Sequence, residues 1–407
     1  MIEIQTLPFL ILLVGAVITI AILTKAGMSK IGLPALVGYI LLGFLFRLLD
    51  AQFPFLSPQV QEIFEFLAEL GVISLLFRVG LESNLTALIR QLSKASTIWI
   101  GDVVVSGGLG FVTARFLLGL PLIPSLFVAI ALTATSVGVS VGVWQEAKAI
   151  YSENGQLMLD VAEMDDISGV ILMALLFAVA PAIHLTGTLS VIPVFAQTSG
   201  IFLFKVIIFG AGCYFFSRYL EAELTKFFRQ IEPPPDPMLE VVGIAVIIAA
   251  IAGILGFSVA IGAFFAGLLF SRDAETVKLE ASIASLYDLF TPFFFVGIGL
   301  KIAPDALMTG LGFGAILLIA AVLGKVIGAG GTAVFTTGST GAVLLGVSMI
   351  PRAEIALIVM RRGHHLGDWA VSSQVFAAIV VVCTVTSIIA PIILRSLLQK
   401  LPQTQSE

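Results

Sequence analysis

Three acids, Glu163, Asp165 and Asp166, stand in the stretch AEMDDISGV, inside an apolar run that extends from about residue 155 to 180. If that run crosses a bilayer, each ionised group near its middle costs roughly 2.5 to 3.5 kcal/mol on insertion scales, so each calls for a partner or a task. Adjacent residues on an α-helix point ~100° apart. Asp165 and Asp166 therefore cannot pinch one small ion from a single helix face, and their tasks differ. One carboxylate can face a water-filled cavity and exchange a proton for a cation, while the other pairs with a basic group from elsewhere. The same divergence excludes an aspartyl protease, whose two acids must face each other across one water. Glu163 lies nearer the helix start, where interfacial water lowers the cost of its charge. A pair of acids locked in structural salt bridges is the competing explanation.

The basic partner predicted from sequence is Lys325, in AAVLGKVIGAGG, where Gly324 and Gly328 permit close helix approach. A buried lysine shifts its proton affinity readily, which an arginine does not. The segment LTATSVGVS places Thr133, Thr135 and Ser136 in mid-span. Hydroxyls and freed carbonyls are the oxygen ligands that a small alkali cation takes, and unwound backbone is tolerated at membrane depth only where it lines a cavity. In SMIPRAEIAL, Pro351 removes a backbone donor and predicts a helix break, with Arg352 and Glu354 beside it. Arg352 is expected to stabilise the broken ends or to pair with Glu354 or Glu163, since its own charge repels a cation. Arg78 has Glu82 at i+4 as its local partner and no evident role. His364 and His365, in RRGHHLGDW, sit at a helix exit, where a solvated pair is the plain reading and a pH sensor the sharper one.

The elements that carry these residues are read from composition. The chain has 407 residues, 58% hydrophobic and 12% charged, with a net charge of -5; its mean hydropathy is +1.10. That balance describes an all-α polytopic membrane protein, and long uniformly apolar runs without alternation exclude a β-barrel. Nothing in the charge points to nucleic acid. The expected spans are 7–25, 31–48, 62–82, 95–118, 122–143, 155–180, 190–217, 238–254, 257–271, 282–300, 308–336, 340–362 and 369–398, thirteen in all. The first is read as a retained helix, because no basic region or cleavage pattern precedes or follows it. Cys213 and Cys383 lie in apolar runs and are read as packing thiols. Lysine and arginine fall twelve to five in favour of an external N-terminus and a cytoplasmic C-terminus. Along the chain, the expected division is a first transmembrane half over 1–218, a charged, proline-rich cytoplasmic linker over 219–238, a second half over 239–398 and a short tail over 399–407. Breakable polar segments at corresponding places in the halves predict two inverted repeats with crossed discontinuous helices.

These residues resemble the monovalent cation:proton antiporter family that includes Kef-type and bacterial sodium:proton antiporters. The resemblance runs over nearly the whole chain: LLFRVGLESNL, ATSVGVS, DDISG, IGAFFAGLLFS, PFFFVGIGL, GKVIGAG, and PRAE where the family usually has Pro-Arg-Gly-Glu. It implies a core domain that carries the ion by an elevator-like motion against a dimerisation domain, in a homodimer held in membrane lipid. It implies that Asp166 is the cation- and proton-binding carboxylate, that Asp165 is the preceding acid of electrogenic members, paired with Lys325, and that Thr133, Thr135 and Ser136 lie beside the site. Arg78 in an apolar stretch, Ala353 in place of glycine, and the missing nucleotide-binding domain depart from the pattern. The last argues against glutathione-gated potassium efflux. The expected activity is exchange of Na+ or Li+ for protons across the bacterial inner membrane, serving pH homeostasis, with no enzyme chemistry and no cofactor. The rivals are K+/H+ exchange on the same fold and a passive cation channel.

Overall fold

The structure is a computed structural model that describes residues 6–82, 85–186, 191–220, 223, 237–255, 259–270 and 276–403. Most of the expected linker, 219–238, lies outside these residues. The chain forms two compact units, and each is assembled from two separate stretches: 1–84 with 200–301, and 85–199 with 302–407. Each unit thus joins a stretch from early in the chain to one from later in it.

The first unit contains α1 (Thr6–Lys30), α2 (Ala35–Gln52), α3 (Pro58–Glu82), the later part of α8 (Val191–Phe215), α9 (Pro237–Ile254), α10 (Val259–Phe270) and α11 (Thr276–Leu300). Its tightest crossings are made where glycine removes the side chain from both partners. Gly80 of α3 lies on the Phe264 carbonyl of α10 while Gly267 lies on the Phe77 carbonyl, and Gly43 of α2 and Gly299 of α11 meet the Val296 and Ile40 carbonyls in the same reciprocal way. No Cβ fits at these points, so backbone rests on backbone. Phenylalanines fill the remaining space, Phe64 against Phe293 and Phe77 against Phe270. Arg78 rests its guanidinium over the Tyr287 ring, 4.6 Å from the centroid, a cation–π contact within the unit.

The second unit contains α4 (Leu85–Val112), α5 (Leu122–Thr133), α6 (Val137–Glu146), α7 (Glu153–Thr186), α12 (Pro304–Lys325), α13 (Gly331–Ser348), α14 (Glu354–Leu366) and α15 (Ser373–Lys400). The order of its two stretches is the same. A long helix widens into one π-turn, at Thr113–Leu117 after α4 and at Val326–Gly330 after α12; an interrupted helix and a second long helix follow. The expected single span 122–143 is thus two short helices, α5 and α6, parted at residues 134–136. The expected spans 308–336 and 340–362 are parted by a bend, where Gly338 takes φ 66° and ψ -172° inside α13, a conformation that costs glycine little, and the second span is itself interrupted at residues 349–353. Without that bend the apolar stretch Met308–Ser348, 41 residues, would run about 60 Å, twice the hydrocarbon thickness. Among the described residues, six apolar stretches are long enough to cross a bilayer, this one included. Large apolar side chains such as Leu12, Leu23, Ile319 and Ile392 remain exposed, as lipid-facing positions are. Both cysteines are free and buried.

Candidate ion-exchange site

The site forms where the two interrupted helices of the second unit meet at their breaks. α5 ends at Thr133 because Ala134 turns to an extended conformation, φ -64° and ψ 141°. The other helix stops at Ser348 and resumes at Glu354, with Pro351 unable to donate and Ala353 at φ -149° and ψ -90°. The loose ends satisfy each other: the Ser136 amide donates to the Pro351 carbonyl at 2.8 Å, and the Thr135 hydroxyl lies 3.4 Å from the Met349 carbonyl. Ser140 and Trp144 of α6 donate to the Ser348 carbonyl and hydroxyl at 2.5 and 2.9 Å.

Arg352 holds the crossing from within. It is fully buried, and its guanidinium donates to the Leu132 carbonyl at 2.8 and 3.2 Å, to Ala321 at 3.0 Å and to Ile350 at 2.6 Å. Leu132 lies in the last turn of α5 and Ile350 just beyond the end of α13, so both carbonyls lack helical partners. Its backbone is fixed in turn by Thr386 and Ser387 of α15, at 3.2 and 3.1 Å. Glu354 sits half-buried in the first turn of α14, where the helix dipole favours a negative charge.

Lys325, at the last residue of α12, is fully buried and reaches three acceptors: Asp102 Oδ2 at 2.5 Å, the Thr133 carbonyl at 2.5 Å and Asp165 Oδ2 at 3.1 Å. An ammonium has three donors, so its shell is filled. Thr135 donates its hydroxyl to the same Asp165 Oδ2 at 2.5 Å. The other oxygen, Asp165 Oδ1, is buried with no hydrogen-bond partner, and so is the Ser136 hydroxyl. A lone pair left thus in a low-dielectric interior is costly, and either a proton or a desolvated cation relieves the cost.

The structure therefore gathers Thr133, Thr135, Ser136, Asp165, Lys325 and Arg352 within one unit. It assigns them unequal parts. The Thr133 hydroxyl bonds back to Ile130 at 2.8 Å, so this residue offers its carbonyl to the centre. Asp165 and Asp166 are separated as helix geometry requires: the first is fully buried on Lys325, the second only partly buried. Glu163, also partly buried, lies at i-3 from Asp166 on α7. His364 Nδ1 donates to the Val371 carbonyl at 3.0 Å, and the imidazole stacks on Phe376. Asp102 was not among the residues that the sequence pattern brought forward. The signal was present, a single acid in the apolar run WIGDVVVS, and the rule that singles out Asp165 applies to it equally.

The family model described as "Sodium/hydrogen exchanger, transmembrane" matches residues 15–400. The chain belongs to the sodium/hydrogen exchanger family. Among its curated relatives in that exchanger family, a high-affinity Na(+)/H(+) antiporter of Synechocystis, NhaS3, is 32% identical, with 83% of this chain and 72% of the relative covered. A Na(+)/H(+) antiporter of Enterococcus hirae is 26% identical over 95% of this chain and 98% of its own. A K(+)/H(+) antiporter subunit of Bacillus subtilis, KhtU, is 28% identical over 83% of this chain and 80% of its own. The solved sodium proton antiporter MjNhaP1 of Methanocaldococcus jannaschii shares the fold, with a TM-score of 0.67 over 98% of both chains at 15% identity.

Proposed function

We propose that this exchanger swaps cytoplasmic Na+ or Li+ for external protons by alternating access, as a secondary antiporter with net charge movement. The observation that carries the reading is the buried Asp165 carboxylate. One of its oxygens is shared by Lys325 and Thr135, and the other is unsatisfied at the meeting of two helix breaks. Asp165 and the partly buried Asp166 are the carboxylates for which proton and cation compete. The Thr133 carbonyl and the Thr135 and Ser136 hydroxyls supply further oxygen ligands. Lys325, Arg352, Glu354 and Glu163 compensate charge around them. Competition for one set of carboxylates is sufficient to couple the two fluxes, so the cycle calls for no cofactor and no covalent chemistry.

All of these residues belong to the second unit, which supports it as the moving core and leaves the first unit as the dimerisation domain of a homodimer. The repeated order of helix, π-turn, interrupted helix and long helix supports two repeats of inverted topology. The charge bias supports an external N-terminus, in a bacterial inner membrane. Relatives named for Na+ and for K+ both occur, so K+ is the alternative cargo.

The test is purified protein in liposomes under an imposed pH gradient, with proton flux followed as Na+, Li+ or K+ is added, for wild type and Asp166→Asn. Cation-dependent dissipation that is lost in the variant supports the exchanger and identifies its ion. Flux indifferent to the cation points to a channel and sinks the proposal. A rate that follows an imposed membrane potential tests the net charge movement.

A further inference from the structure

Lys325 has two carboxylate partners, and the shorter contact is with Asp102. The Asp102 and Asp165 side chains and Lys325 are all fully buried, and they come from three helices, α4, α7 and α12. Asp102 Oδ2 lies 2.5 Å from the ammonium, Asp165 Oδ2 3.1 Å. Asp102 is also anchored on its far side, where Ser106 donates to Oδ1 at 3.3 Å. The backbone around it is packed too closely to shift: Gly328 rests on the Asp102 backbone, and Gly324 on Ser106.

We infer that Asp102 is a positioning residue for ion exchange: it holds Lys325 in competition with Asp165 and so sets how readily a cation takes Asp165. The inference rests on the reading that Asp165 belongs to the exchange site. Its physical basis is the filled shell of the ammonium. A cation bound at the open Asp165 Oδ1 draws on the same carboxylate charge and so loosens the Lys325 contact at Oδ2. With Asp102 and the Thr133 carbonyl in place, the loosened ammonium keeps two of its three acceptors and remains neutralised by a carboxylate. Without the Asp102 charge, Lys325 has Asp165 as its only carboxylate within ion-pair distance among the described residues, and leaving it strands a buried positive charge. Asp102 thus lowers the cost of opening Asp165 without touching the transported ion.

Asp102→Asn keeps the shape and one oxygen acceptor but removes the charge. Loss of one charge-assisted contact to the ammonium is expected to raise the apparent KM for the cation about tenfold. The change in KM exceeds that in maximal rate, and Asp102→Glu recovers most of it. Ser106→Ala acts in the opposite sense: it frees Asp102 charge for Lys325, loosens Asp165 and lowers the KM about twofold. Cation-driven proton flux in liposomes gives both constants, and stabilisation of detergent-solubilised protein by added Na+, Li+ or K+ measures binding independently. An Asp102→Asn KM equal to that of an active wild type overturns the inference, as does a loss of maximal rate at unchanged KM. If the Asp102 variant does not yield folded protein, Ser106→Ala decides, and a KM that rises or stays fixed overturns the inference. A wild type with no cation-dependent flux refutes the exchange reading instead, so the two failures are distinct.

Discussion

Replacing Arg352 by Met tests whether one guanidinium holds the crossed breaks together. Methionine fills a similar volume with an unbranched chain and donates nothing. Four hydrogen bonds are lost, to the Leu132, Ala321 and Ile350 carbonyls. The Ala321 carbonyl lies within a continuous helix and keeps its helical partner. Leu132 and Ile350 do not have that reserve, because the amide four residues after Leu132, that of Ser136, donates to Pro351 and the chain beyond Ile350 is not yet helical. Two buried carbonyls left unsatisfied at ~1–3 kcal/mol each give a loss of about 2–6 kcal/mol. The readout is intrinsic tryptophan fluorescence during denaturant or thermal unfolding in detergent. The three tryptophans, Trp99, Trp144 and Trp369, all lie in the second unit, and Trp144 bonds to Ser348 at the break itself. Arg352→Lys separates the contributions, since it retains the charge and loses the planar fork that spans several carbonyls; an intermediate loss is expected. A methionine variant within about 1 kcal/mol of wild type would show that the breaks are held by their mutual contacts alone, and would refute the reasoning.

Three more outcomes follow from the same contacts. Thr135→Val removes the 2.5 Å donor on Asp165 and an oxygen ligand at constant shape and should lower the apparent cation affinity by about tenfold, with Thr135→Ser near wild type in the liposome assay. Gly267→Ala places a methyl against the Phe77 carbonyl and should destabilise the first unit by about 1–3 kcal/mol in thermal unfolding; Gly312→Ala, which meets no atom within 4 Å, should not. Arg395→Ala breaks the exposed pair with Glu146, at 2.6 Å, and should cost less than about 1 kcal/mol and leave transport unchanged.

Some of this architecture follows from sequence alone. Apolar runs of spanning length dictate helices because lipid offers the backbone no other partner, and the acids at 165 and 166 call for partners because an unpaired charge in lipid is costly. Pro351 marks one helix break in the chain itself. The companion break at Ala134 has no proline; it depends on Ser136 finding the Pro351 carbonyl across 215 residues of sequence. Which atom a residue presents is likewise a tertiary matter. Thr133 turns its hydroxyl back along its own helix and gives the centre its carbonyl, and spacing along the chain does not encode that choice. Periodicity describes a single helix, and Lys325 is divided between Asp102 and Asp165 only because α4, α7 and α12 converge on it. Sequence determined that charges had to be buried and neutralised here; the packing of three helices decided which carboxylates share the ammonium.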